Sequence, residues 1–191
     1  MNPTSTVVVP LLAGFEEIEA VTIIDVLRRA DLRVLVASTA AGPVRGSHDI
    51  EVVADTALAS IVATGTADAV DMIALPGGMP GAANLARDPE VQRLIRELAA
   101  AGKYTCAVCA APIALAAAGV HRGKRVTCYP GFESQLDGGT VVEDRVVVDG
   151  TVVTSRGPGT ALEFALALVG ILRGQTAAAE QAKRMLVGAR V

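Results

Sequence analysis

Two cysteines three residues apart, Cys106 and Cys109, stand in the stretch YTCAVCAAPIAL (residues 104–115) of a chain that has only three. Such a pair suits a dithiol couple, two ligands of a metal, or one buried thiol beside one reactive thiol. Residues three apart on a strand point to opposite faces, so a disulfide needs a turn starting at the first cysteine, and Cys106 falls inside a strand-like run. A structural zinc site needs about four ligands, whereas the chain offers three cysteines and two histidines, His48 and His121, in no paired motif. No metal or cofactor is expected. Cys106 and Cys128 read as small buried apolar residues. Cys109 differs because it follows the strand and precedes a helix opening at Pro112, with Ala110 and Ala111 small enough for a sharp bend. A thiol there faces a helix N-terminus, which favours the thiolate. The bend also pushes one side chain out at the top of a sheet and leaves the next N–H free to bind an oxyanion. Spacing alone serves equally well a thiol that merely packs in a tight corner.

Two neighbouring features bear on that choice. Pro76-Gly77-Gly78 closes another apolar run, and a glycine turn lets backbone N–H groups come close to a reacting atom; by itself it is only a turn. Glu16-Glu-Ile-Glu19 opens the first helix, where acidic residues oppose the helix dipole. That reading suffices for Glu16 and Glu17. Glu19 lies one turn beyond Glu16, nearer the apolar face shared with Ile18, and is the carboxyl expected to enter the crevice.

The elements that must position these residues alternate. A strand at 6–12 is followed by a helix at 16–30, with Ile18, Val21, Ile24 and Leu27 at helical spacing, and by a strand at 32–38. A turn-rich piece at 42–49, a small strand at 50–54 and a short helix at 58–63 lead to a strand at 71–75. A helix begins at Pro89 and ends at Gly102; then come the strand at 104–108 and the helix at 112–118. Short strands at 126–128, 146–148 and 152–154 follow, the last two joined at Asp149-Gly150, and helices at 158–172 and 176–187 close the chain. The alternation implies a doubly wound, mostly parallel sheet with its site at the carboxyl ends of the strands, where the loops 13–19, 76–80 and 108–112 meet.

Composition agrees. Hydrophobic residues make up 51% of the 191 and aromatics 3%, so the core is built of Ala, Val, Leu and Ile, and one domain spanning 1–191 is expected. The formal charge of −3 and the lack of a basic, aromatic-studded cluster argue against a nucleic-acid partner. The first apolar run is too short to span a bilayer and lacks a basic region before it, and cysteines are few and odd in number; a cytoplasmic location and a reducing compartment follow as expectations.

Gly14-Phe-Glu-Glu-Ile-Glu19, Leu75-Pro-Gly-Gly78, Ala107-Val-Cys-Ala-Ala-Pro112 and Thr154-Ser-Arg-Gly-Pro-Gly-Thr160, the last followed by Glu163-Phe-Ala-Leu166, together resemble the ordered signatures of the DJ-1/ThiJ/PfpI superfamily. The subgroup of the parkinsonism-associated protein and its bacterial relatives is the nearest in pattern. The resemblance implies a flavodoxin-like three-layer α/β sandwich with a reactive cysteine at a strand-to-helix elbow. In it Cys109 is the easily oxidised nucleophile, Glu19 a protonated carboxyl bonded to its sulfur, and Gly78 and Ala110 the oxyanion donors. It further implies a homodimer with its contact region on the helix carrying Asp25, Arg28 and Arg29. The implied activity is glyoxalase or deglycase chemistry on methylglyoxal, glyoxal or their early adducts on proteins and nucleotides, without glutathione or metal. The alternative it carries is a redox sensor or holdase chaperone in oxidative stress, acting through oxidation of Cys109. One departure matters: Ala110 stands where hydrolase subgroups carry a histidine, and Tyr129 stands where a histidine lies near the cysteine in the named subgroup. A Cys-His peptidase or amidotransferase is therefore disfavoured, Tyr129 being a poor base near neutral pH. His48 is left as a solvated residue or one reaching the site from a partner subunit.

Overall fold

The computed structural model describes residues 5–63 and 69–188. A seven-stranded sheet takes the order β10-β11-β7-β6-β1-β2-β5, where β1 is Thr6–Pro10, β2 Arg33–Ser38, β5 Thr56–Ala57, β6 Met72–Leu75, β7 Tyr104–Val108, β10 Val146–Asp149 and β11 Val152–Ser155. All pairings are parallel except β10 with β11, the hairpin turned at Gly150. Val7, Val8 and Val9 of the central β1 are wholly buried, as expected of a parallel strand covered on both faces.

The helices are α1 (Glu17–Arg29), α2 (Leu58–Ala63), α3 (Gly81–Arg87), α4 (Pro89–Ala100), α5 (Pro112–Ala117), α6 (Ala161–Arg173) and α7 (Gln175–Arg184). They pack in two groups, α1 with α6 and α7, and α2, α3, α4 and α5 with one another, giving the three layers of a flavodoxin-like sandwich. Asp88 starts α4, its carboxylate accepting from the N–H groups of Glu90 and Val91 at 3.0 Å each, with Pro89 in the first turn.

Several expectations shift. The strand predicted at 6–12 stops at Pro10, which still pairs with Ala37 at its carboxyl end. The strand at 126–128 is displaced to β8 (Arg125–Val126), which pairs in parallel with β9 (Thr140–Val141). The turn-rich piece holds β3 (Pro43–Arg45), antiparallel to β4 (Glu51–Val53). The helix predicted from Pro158 begins with a 3-10 turn, Pro158–Thr160, before α6. Helix α3 has no counterpart in the sequence reading, because GAANLAR offers no apolar stripe and no side-chain cap. Ile18 and Val21, read as core-facing, are 59% and 50% exposed; the buried face of α1 is made by Ala20, Ile23, Val26 and Leu27. No helix among the described residues is long and apolar enough to cross a membrane.

Candidate active site

Strand β7 ends at Val108, and Cys109 turns the chain with a φ of 64°, a left-handed conformation uncommon for a residue with a side chain. Its backbone is held from both sides: its N–H donates to the Ser155 carbonyl at 3.0 Å, and its own carbonyl accepts from the Tyr129 N–H at 2.8 Å. The second tie is itself anchored, since the Thr127 N–H donates to Thr154 Oγ1 at 2.8 Å. Ser155 is fixed in turn by Thr160, the two hydroxyls standing 2.7 Å apart. The TSRGPGT segment thus acts as the frame of the elbow. Cys109 is 8% exposed, against 0% for Cys106 and 2% for Cys128, so it is the most accessible of three buried thiols.

The N–H groups of Gly78 and Ala110 face the Cys109 sulfur and favour its charged form. From the other side comes Glu19, fully buried on α1. The Gly77 N–H donates to Glu19 Oε2 at 2.7 Å. Oε1 is buried with no hydrogen-bond partner, and the Cys109 thiol lies near enough to the carboxyl for each to shift the other's proton affinity. Gly77 is what permits the approach: a Cβ at this position would stand 2.6 Å from Cys109 Cβ and 2.8 Å from Glu19 Oε2.

Electrostatics here run against the sequence expectation. Burial pushes Glu19 up to about 7, with the nearby Glu16 charge adding to the rise and the bonds from Gly77 and Cys109 opposing it. Burial likewise pushes Cys109 up to about 12, helped by the Glu19 charge and opposed by the Gly78 and Ala110 N–H groups. The expected thiolate-favouring helix dipole is outweighed, because α5 has only six residues while the sulfur is desolvated beside a carboxyl. From about pH 7 upward the pair holds one proton, which rests mainly on the sulfur because Cys109 is the weaker acid, and the reactive form arises when that proton passes to Glu19. A proton on Glu19 gives the unpartnered Oε1 something to donate and leaves the sulfur charged against two N–H groups.

The other residues singled out by sequence are distributed unevenly. Glu16 and Glu17 are buried rather than solvated at the helix start, and Glu17 meets His48. His48 is exposed, and Tyr129 is 46% exposed, its ring lying over Gly157. His121 is buried, with Nε2 2.9 Å from the Asp137 carbonyl. Asp25 and Arg29 pair with each other, and Arg28 pairs with Asp55. Sequence reasoning assigned no role to Gly77 or Ser155. Both lay inside quoted motifs; the glycine turn signalled a close backbone approach without saying to what, and backbone anchoring by Ser155 leaves no signature in residue type.

Residues 5–170 match the model of the DJ-1/PfpI family. The chain belongs to the DJ-1/PfpI family. It is 42% identical over 182 residues to DJ-1 homolog B of Arabidopsis thaliana, a match covering 94% of this chain but 41% of the relative, so the chain spans about two fifths of that protein. DJ-1beta of Drosophila melanogaster is similar along its whole length, 40% identical with 96% of this chain and 98% of the relative covered. Its crystal structure superposes with a TM-score of 0.92 at 39% identity, covering 97% and 99% of the two chains. A Caenorhabditis elegans relative named glutathione-independent glyoxalase DJR-1.2 is 38% identical over 83% of each chain.

Proposed function

We propose that this chain is a cysteine-dependent, glutathione- and metal-independent glyoxalase that converts methylglyoxal to lactate and acts on glyoxal and early adducts of both aldehydes. The observation that carries this reading is the sulfur of Cys109 held between the Gly78 and Ala110 N–H groups and the Glu19 carboxyl. The name of the C. elegans relative supports it. The thiolate adds to the aldehyde carbon, forming the C–S bond, and the Glu19 proton neutralises the new oxyanion, which the two N–H groups stabilise until then. Glu19, now a carboxylate, removes the hydrogen from the former aldehyde carbon, and the electron pair moves into an enediol. Returning that proton to the adjacent carbon, while the proton of the first hydroxyl passes to the second oxygen, leaves a lactoyl thioester on Cys109. Water then cleaves that ester, releasing lactate and the thiolate. No step expels an amine, so no general acid for a leaving group is needed. Burial of the sulfur favours a three-carbon aldehyde over a peptide-borne adduct.

A substrate panel tests this reading. Reduced protein is expected to form lactate from methylglyoxal while showing no Cys109-dependent hydrolysis of casein or glutamine; a peptidase or glutaminase signal without lactate would refute it. Cys109 that is reduced and alkylatable but gives no lactate promotes the sensor reading.

The proposed assembly is a homodimer. Ile18 and Val21 on α1 are exposed beside Ile50 of the β3–β4 hairpin, which Glu17 binds through the Ile50 N–H. Sedimentation at micromolar concentration should give twice the chain mass for wild type and the chain mass for Ile18→Glu. A monomeric wild type contradicts the assembly.

A further inference from the structure

Outside the Cys109–Glu19 pair, four metal-ligand-type atoms from two distant segments converge. His48 Nδ1 lies 3.0 Å from Glu17 Oε2 and 3.2 Å from Glu16 Oε2. Ser47 Oγ lies 3.1 Å from His48 Nδ1 and 3.2 Å from each of those two carboxylate oxygens. One ligand atom from each of Glu16, Glu17 and His48 falls within 4.8 Å of the other two. Atoms bound about 2.0–2.2 Å from a four-coordinate zinc stand about 3.3–3.6 Å apart. The five separations from His48 Nδ1 and Ser47 Oγ, 3.0–3.2 Å, need only a few tenths of an ångström of expansion to suit such an ion.

Charge and support point the same way. The Glu16 and Glu17 side chains are 8% and 5% exposed, and among the described residues neither pairs with a lysine or arginine. Two adjacent buried carboxylates with one imidazole carry an excess of negative charge that a divalent cation neutralises. Glu17 is oriented as a single-oxygen ligand, since its Oε1 accepts from the His48 N–H at 2.6 Å and the Ile50 N–H at 3.3 Å, leaving Oε2 turned to the cluster. Gly46 gives that carboxylate its place, because a Cβ there would strike it. The imidazole pairs with both carboxylates and Ser47 Oγ meets the same three atoms, so all four converge on one centre.

We propose that Glu16, Glu17 and His48, completed by Ser47, form a binding site for a divalent transition-metal ion of the zinc class. The Glu16 N–H donates to the Gly77 carbonyl at 2.9 Å, so the ion would sit beside the reactive crevice and tie α1 to the loop before β4. The proposal stands independently of the glyoxalase reading. Calorimetric titration with Zn2+ tests it in wild type, Cys109→Ser, His48→Ala and Glu17→Gln. One ion per chain is expected at micromolar zinc, unchanged in Cys109→Ser and weakened at least about tenfold in His48→Ala and Glu17→Gln. His48→Ala strips the imidazole from two buried carboxylates, so His48→Gln is titrated beside it and each variant is melted without metal to confirm that it is folded. Co2+ in place of zinc should give a visible band without a sulfur charge-transfer feature. No zinc binding at sub-millimolar concentration, undiminished binding in His48→Ala, or a sulfur band lost in Cys109→Ser would overturn the site.

Discussion

Gly77→Ala is expected to lower kcat/KM for methylglyoxal by about a hundredfold or more, from a single added methyl group. Ordinary carbon contacts begin near about 3.5 Å, and the new Cβ would lie 2.6 Å from Cys109 Cβ, 2.8 Å from Glu19 Oε2 and 2.9 Å from the Val108 carbonyl oxygen. None of the three can move freely. Cys109 is fixed through Ser155 and Tyr129, Val108 ends a central strand, and Glu19 hangs on the Gly77 N–H itself. The dyad must therefore open by about an ångström, a displacement that costs about a hundredfold in rate, while overpacking costs about 1–3 kcal/mol of stability. Steady-state kinetics beside a urea melt separates the two effects. A folded Gly77→Ala protein with wild-type turnover would show that Cys109 and Glu19 need not meet.

Glu19→Gln is expected to lower turnover by about a hundredfold or more, because the amide cannot exchange a proton with carbon. Nucleophile supply should not be the reason. Removing the Glu19 charge takes away an influence that holds the Cys109 thiol up, so iodoacetamide should capture Cys109 at least as fast in the variant. Fast capture with slow turnover assigns the loss to proton transfer; slow capture with proportionally slow turnover assigns it to the thiolate and contradicts the shuttle. Stability supplies a second signature. The folded state holds Glu19 at about 7 against an ordinary 4.5, so it binds the proton more tightly than the unfolded chain. Wild type is favoured below pH 4.5 and loses that advantage as pH rises to 7, by about 3 kcal/mol in all. Urea midpoints of Glu19→Gln should accordingly gain on wild type between pH 4.5 and 8, and a pH-independent difference would mean that Glu19 is not held neutral.

What was legible in the sequence follows from how each signal arises. The runs that became β1, β6 and β7 are mostly apolar because both faces are covered, and Pro89 and Gly102 mark helix limits through their backbone preferences, so composition carries them. Cys109 was legible as the residue at an elbow because the bend needs Ala110, Ala111 and Pro112 around it. The face of α1 was not. Ile18 and Val21 fit helical spacing yet point to solvent, whereas Glu16, Glu17 and Glu19 are buried by bonds to Ser47, His48 and Gly77 on other segments. Hydrophobicity at a fixed period cannot anticipate carboxyls buried by distant partners. The acidity of Cys109 was misjudged for the same reason: a helix terminus is visible in the chain, but desolvation beside Glu19 exists only once α1 lies against the β7 elbow.

The central claim is that the Cys109 thiolate, served by Glu19, turns an α-oxoaldehyde into a 2-hydroxy acid. Its most direct measurement is lactate formed from methylglyoxal in an amine-free buffer by reduced wild type and by Cys109→Ser, with equal folding checked by circular dichroism. The account predicts continuous lactate production by wild type and none above the buffer rate by Cys109→Ser. Equal lactate from both proteins would contradict it.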